Sequence, residues 1–149
     1  MAAKMDESLR RSSVHLLHRA GQCAEELFQA ELGDADLTAR QLAVLNTVAE
    51  NAGLSQTGIV ERTGIDRSTL ADIVRRLAKK GLLQRRRTKQ DARAYAVKLT
   101  DEGENLLRRV GPLAKKVDQL ILQAMGGGKD DFLDRLHDII GQLQPSSAD

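Results

Sequence analysis

Residues 56–80, "QTGIVERTGIDRSTLADIVRRLAKK", constrain the fold of this chain more than any other stretch. Two helix-forming runs are separated by only Thr63, Gly64 and Ile65. Ser55 is a capping residue for the first run, predicted from Gln56 to about Arg62, and Asp66 for the second. Glycine at position 64 can take the left-handed conformation that ends one helix and turns the chain into the next. In the second run Leu70, Ile73, Val74 and Leu77 stand at i, i+3, i+4 and i+7, so one stripe is buried. Arg67, Ser68, Asp72, Arg75, Arg76 and Lys79 are left on the outside. Gly81 closes the helix.

The surrounding pattern is mainly helical. Apolar residues from Leu9 to Phe28 recur at helical spacing and predict a long amphipathic helix over residues 7–32, broken by "GDAD". In "LTARQLAVL", Thr38 and Gln41 have the spacing of a capping box, and Leu37 can staple to Leu42, which starts a helix running to about Asn51. After Gly81, residues 82–87 and 94–99 read as two short strands around the polar tip "TKQDAR". Thr100 caps a last long helix with Asp101 and Glu102 in its first turn, where the helix dipole favours acids. Its apolar residues, from Leu106 to Ala124, follow steps of four and three, the spacing of helices packed side by side. Gly111-Pro112 is expected to interrupt and kink it. After "MGGGK", Leu133, Leu136, Ile139, Ile140 and Leu143 mark one more amphipathic helix.

Charge says what such a unit can meet. The net charge is only +2, but residues 64–98 carry eleven Lys or Arg against three acids. The rest of the chain is correspondingly acidic, so one basic face is set to attract a polyanion. Helix, glycine turn, helix and basic hairpin, in that order, describe a helix-turn-helix with a wing. The major groove of DNA admits one α-helix, whose N-terminal residues reach base edges. Arg67, Ser68 and Thr69 are therefore candidates for direct readout. Arg75, Arg76 and Lys79 are candidates for phosphate contacts, with Gln56 and Thr57 fixing register on the sugar-phosphate chain. On the wing, Lys89 adds positive charge, and Arg93 can enter a narrow minor groove whose potential attracts cations. Asp91 can pair with the guanidinium and orient it.

Several classes fall away. Aromatic residues are limited to Tyr95, Phe28 and Phe132, too few to stack unpaired bases. A single cysteine, Cys23, excludes an internal disulfide framework and suits a reducing compartment. No signal peptide or membrane-length apolar run is visible, so a cytoplasmic protein with no membrane partner is expected. Nothing resembles a phosphate-binding glycine loop, a zinc spacing or a catalytic triad, and neither enzymatic activity nor a cofactor is expected.

The stretches "DARAYAVKLTDEG" and "GIDRSTLADIVRRLAKKGLLQR" resemble the wing and recognition helix of the MarR family of bacterial winged-helix regulators. The match carries Asp91, Arg93, Val97, Leu99, Thr100 and Gly103, and the likeness extends over nearly the whole chain. It implies a mainly α fold with a small β-wing. A winged helix-turn-helix domain over residues 36–100 would lie between dimerisation helices at 1–35 and 101–145. It further implies a homodimer on a pseudo-palindromic operator, repression of transcription, and release by a small molecule. A ligand cleft between the dimerisation helices and the winged domain would draw on His15, Arg19, Cys23 and Arg40, which suit an aromatic carboxylate or its coenzyme A thioester. Gly58 departs from the family pattern and is expected to weaken its short helix by about 1 kcal/mol.

Other readings compete. A basic winged dimer could meet an acidic protein instead of DNA. Cys23 could sense oxidants, although its place on an apolar helix face predicts an inert core thiol. His15 and His18, three apart, could share a metal, although no third ligand stands nearby in sequence.

Overall fold

A computed structural model describes residues 4–87 and 95–144. Seven helices and two strands follow in the order α1 (Glu7–Arg10), α2 (Ser13–Leu32), α3 (Ala39–Glu50), α4 (Gln56–Thr63), α5 (Arg67–Lys79), β1 (Leu83–Arg87), β2 (Tyr95–Leu99), α6 (Asp101–Gln123) and α7 (Lys129–Leu143). A short 3-10 turn, Gly33–Ala35, joins α2 to α3. The chain divides into two units, Met1–Ala114 and Lys115–Asp149. Among the described residues, no helix is long and apolar enough to cross a membrane.

Most predicted boundaries hold, and the capping chemistry explains them. Thr38 and Gln41 form the reciprocal capping box, with Thr38 Oγ1 accepting from the Gln41 N–H and Gln41 Oε1 accepting from the Thr38 N–H, both at 3.1 Å. Leu37 and Leu42, the staple pair, are both buried. Ser55 Oγ accepts from the Gly58 N–H at 3.1 Å and starts α4. The expected single N-terminal helix is instead two, because Ser12 caps α2 through the His15 N–H and leaves α1 as one separate turn. Residue 112 does not end α6, which runs helical from Asp101 to Gln123 with Pro112 inside it.

The core of the first unit is built by α2's last turns together with α3, α4, α5, the wing and the first half of α6. Leu32, Leu37, Val44, Leu45, Ile59, Leu70, Val74, Leu77, Val97 and Val110 are almost wholly enclosed. The two strands pair antiparallel with Leu83 opposite Leu99, Arg85 opposite Val97 and Arg87 opposite Tyr95. A third segment pins this ribbon: the Val97 N–H donates to the Leu54 carbonyl at 2.9 Å, and Ser55 bridges to Ala96. The β2 strand of the wing is thereby tied to the α3–α4 connection.

Gly58 is not merely a weak helix former. A Cβ at this position would lie 2.6 Å from Leu54 Cδ1, so the glycine makes room for the side chain beside the segment that holds the wing. Gly103 is more demanding. It is buried, and a Cβ there would lie 2.3 Å from the Leu82 carbonyl oxygen, a backbone atom that also accepts from the Thr100 N–H. Thr100 ties the same corner by donating to the Gly81 carbonyl at 2.6 Å and accepting from the Gly103 N–H at 3.0 Å. Gly103→Ala is therefore expected to destabilise the fold by about 1–3 kcal/mol, the range for overpacking a tight site. Urea unfolding of the variant beside the parent chain checks this.

In the second unit, only Val117 is buried among the described residues. Leu133, Ile139, Ile140 and Leu143 of α7 are exposed, at 42 to 74 %. On α2, Val14, Leu16 and Leu17 are likewise exposed, because only the helix's C-terminal turns, at Phe28 and Leu32, reach the core.

Candidate nucleic-acid interface

The recognition element is assembled from its turn outward. α4 ends on Gly64 at φ 71°, the left-handed conformation that glycine takes without penalty. Two residues later Asp66 Oδ1 accepts from the Thr69 N–H and the Ser68 hydroxyl, both at 2.9 Å. Hydrogen bonds from the Thr69 side chain and backbone, and then from Ser68, lower the Asp66 pKa from 3.8 to about 2. A carboxylate that stays ionised is a durable cap, and its charge also opposes the positive end of the α5 dipole.

This cap divides the three predicted readout residues. Arg67 is exposed at the first position of α5 and makes no hydrogen bond or ion pair among the described residues. Ser68 is exposed but donates its proton to Asp66, leaving its oxygen to accept. Thr69 is half-buried and also turned to the cap, so it is the least available. Gln56, half-buried, and Thr57, exposed, stand in the first turn of α4.

Further along α5, Arg75 and Arg76 both donate to Asp72, the latter from Nε to Oδ2 at 2.8 Å. Those bonds, Arg76's first, hold the Asp72 carboxyl below the usual carboxylate range. The pairs are solvent-exposed and add little stability, but they hold two flexible guanidiniums in one place. Lys79 is exposed one turn on. Lys80, which the sequence did not single out, reaches back to the connection before α3. Its Nζ donates to the Asp36 backbone carbonyl and lies 3.1 Å from the Asp36 carboxylate.

Sequence reading also passed over the wing's base. Arg85 and Arg87 share one face of β1 and stack over the Tyr95 ring, 6.0 and 5.8 Å from its centroid. The Arg87 Nε also donates to the Tyr95 hydroxyl at 3.4 Å. Period-two spacing puts 85 and 87 together, and the antiparallel register brings Tyr95 to them. The predicted tip residues Lys89, Asp91 and Arg93 lie outside the described residues.

Of the ligand residues that the resemblance implied, His15, Arg19 and Cys23 follow one another at four-residue spacing along α2, and Arg40 stands in the first turn of α3. Arg40 lines a groove with Arg62, Thr63 and Asp66 that includes none of His15, Arg19 and Cys23. Cys23 is exposed, contrary to the expected core thiol. His15 is half-buried and His18 exposed, and among the described residues no three His, Cys, Asp or Glu side chains converge as metal ligands.

A helix pair joined by a glycine turn, a basic exposed face on its second helix and two cationic strands define a winged-helix DNA-binding protein. Comparison with known proteins narrows the class. Residues 35–94 match the sequence profile of the MarR family. The transcriptional regulator HosA of Escherichia coli O111:H- is 31% identical over 129 residues, 87% of this chain and 94% of HosA. PcaV, a transcriptional regulator of Streptomyces coelicolor solved with its natural ligand, is 34% identical and superposes with a TM-score of 0.81 over 99% of this chain and 100% of its own. The transcriptional repressor CouR, solved on a 23-mer DNA duplex, is 26% identical with a TM-score of 0.77, over 95% and 99% of the two chains. The chain belongs to the MarR family, whose members are DNA-binding transcriptional regulators rather than enzymes.

Because the Asp66 pKa is depressed on folding, its contribution is present above the unfolded value of 3.8 and is lost as pH falls toward about 2. Asp66→Ala is expected to lower the thermal midpoint at pH 7, and the gap to the parent chain should close between pH 4 and pH 2. Calorimetry across that range checks it.

Proposed function

We propose that the chain is a cytoplasmic, homodimeric repressor that binds a pseudo-palindromic operator and is released by a small anionic ligand. The observation that carries the reading is the exposed face of α5, where an unengaged Arg67 stands ahead of Arg75, Arg76 and Lys79 on a rigidly capped helix. Arg67 and Ser68 read base edges, with Thr69 in support. Arg75, Arg76 and Lys79 hold phosphates, and Gln56 and Thr57 set the register. Lys89, Asp91 and Arg93 form the tip that probes the minor groove.

Dimerisation is supported by what each chain leaves uncovered. The unit Lys115–Asp149 has one buried side chain among its described residues, and segments below about 40 residues rarely sustain a core unaided. The apolar faces of α2 and α7 supply surface for a second copy. Residues 1–35 and 101–145 then serve as dimerisation helices around the winged domain at 36–100. Two-fold symmetry doubles an otherwise short footprint. The ligand is a small organic anion such as an aromatic carboxylate; that such a regulator takes a small ligand at all is supported by the PcaV relative, solved with its natural ligand.

Selection of duplex fragments by the purified protein, followed by footprinting, tests the reading. An inverted-repeat site bound in the presence of competitor DNA is expected, and weak sequence-blind binding would defeat it. On that site, Arg67→Ala should cost about 1–3 kcal/mol of base discrimination, while Lys79→Ala should weaken all sequences alike and lower the salt slope by about 1. Ile140→Glu should shift the protein from dimer toward monomer in sedimentation velocity and reduce operator affinity at least tenfold.

A further inference from the structure

Three consecutive arginines leave the core along β1, and the strand sorts them onto two faces. Successive side chains of a strand alternate, so Arg85 and Arg87 lie on the face of Leu83, and Arg86 on the face of Gln84. The antiparallel register places Val97 and Tyr95 on the first face, Ala96 and Lys98 on the second. On the first face Leu83 and Val97 are buried, whereas Arg85, Arg87 and Tyr95 are exposed beyond them. Arg85 and Arg87 therefore emerge side by side at the base of the wing, about 7 Å apart along the strand. Neighbouring phosphates on one strand of DNA recur at a similar interval.

These two cations are held differently from those of α5. Asp72 restrains Arg75 and Arg76 with a carboxylate, which occupies guanidinium N–H groups and offsets their charge. Tyr95 restrains Arg85 and Arg87 with the face of its ring, at 6.0 and 5.8 Å from the centroid. A guanidinium carries its five N–H donors around the edge of its plane. Attraction to an aromatic face therefore holds the group while leaving its charge whole and its edge open. Among the described residues one of these donors is engaged, the Arg87 Nε–H on the Tyr95 hydroxyl at 3.4 Å, and no carboxylate pairs with either arginine. The cluster is also tied to the start of α4, because Ser55, which bridges to Ala96 beside Tyr95, is the cap residue immediately before Gln56 and Thr57.

We propose that Tyr95 is a positioning residue that holds Arg85 and Arg87 as a two-pronged clamp on neighbouring phosphates of the DNA backbone at the base of the wing. Each guanidinium grips one phosphate through its open edge, in the forked geometry that suits phosphate oxygens. Tyr95 makes no contact with DNA and acts by restricting the two long side chains before they bind, which lowers the entropy lost on association. The contacts are to the backbone, so they strengthen binding to every sequence alike and place the wing without reading bases. The inference rests on the reading of this chain as a DNA-binding protein, and it adds to that reading a contact that neither α5 nor the wing's tip supplies.

Full-length variants are compared on the selected operator and on an unrelated duplex across a salt series. The double variant Arg85→Ala/Arg87→Ala is expected to weaken both duplexes alike and to lower the salt slope by about 2, one for each phosphate released. Tyr95→Leu should weaken both by about fivefold with the slope unchanged, since the same phosphates are gripped by less restrained side chains. Tyr95→Phe keeps the ring and should stay within about twofold of the parent. Adding Tyr95→Leu to the double arginine variant should change affinity by less than about twofold, because the ring then has nothing to hold. An unchanged slope in the double arginine variant, a lowered slope in Tyr95→Leu, a loss in Tyr95→Phe equal to that in Tyr95→Leu, or a Tyr95→Leu loss that persists without the arginines would each overturn the proposal. A protein that shows no preference for the operator defeats the proposed function instead, and the unrelated duplex still decides the clamp, because phosphate contacts do not depend on sequence.

Discussion

The short turn between α4 and α5 governs the placement of everything that could touch DNA. Gly64 reverses the chain in the left-handed conformation, and Asp66 then fixes the first turn of α5 through the Thr69 N–H and the Ser68 hydroxyl. Since a helix advances about 100° per residue, that starting point sets the direction of every later side chain on α5. The same turn of geometry buries Leu70, Ile73, Val74 and Leu77 and leaves Arg67, Arg75, Arg76 and Lys79 outside. Burial of the stripe and display of the charge are one event, because neither face can move without the other.

Much of the positive charge is organised before any partner arrives. Asp72 gathers Arg75 and Arg76, Tyr95 receives Arg85 and Arg87, and Asp36 engages Lys80. Long cationic side chains lose substantial rotamer freedom on binding. Holding them in place beforehand reduces that loss, at the expense of some free charge. Arg67, at the first position of α5, has no such restraint among the described residues, which suits a side chain that must adapt to a base edge.

Most of the local structure was legible from short patterns. The capping pairs at Thr38 and Gln41, at Ser55, at Asp66 and at Thr100 placed four helix starts to the residue, because a cap is a bond within one turn of chain. Less was legible where the signal is not local. The break at Ser12 stayed hidden inside a continuous apolar period, and Pro112 suggested an interruption that the surrounding helix absorbs. Cys23 read as core, since periodicity shows that a face is apolar without showing what covers it. Gly58 read as a weakness until Leu54 was seen to fill its place.

The sequence by itself determined the class of fold, the basic face of α5 and the family, for these depend on spacing, capping and charge order along the chain. Tertiary structure alone decided which cations are engaged and which are free, that Arg85, Arg87 and Tyr95 form one cluster, and that Gln41 and Lys80 share a cavity with the recognition helix. Such groupings join residues up to 44 positions apart, as with Asp36 and Lys80. No local pattern encodes them, because they arise only when independently specified elements pack and bring distant side chains within hydrogen-bonding reach.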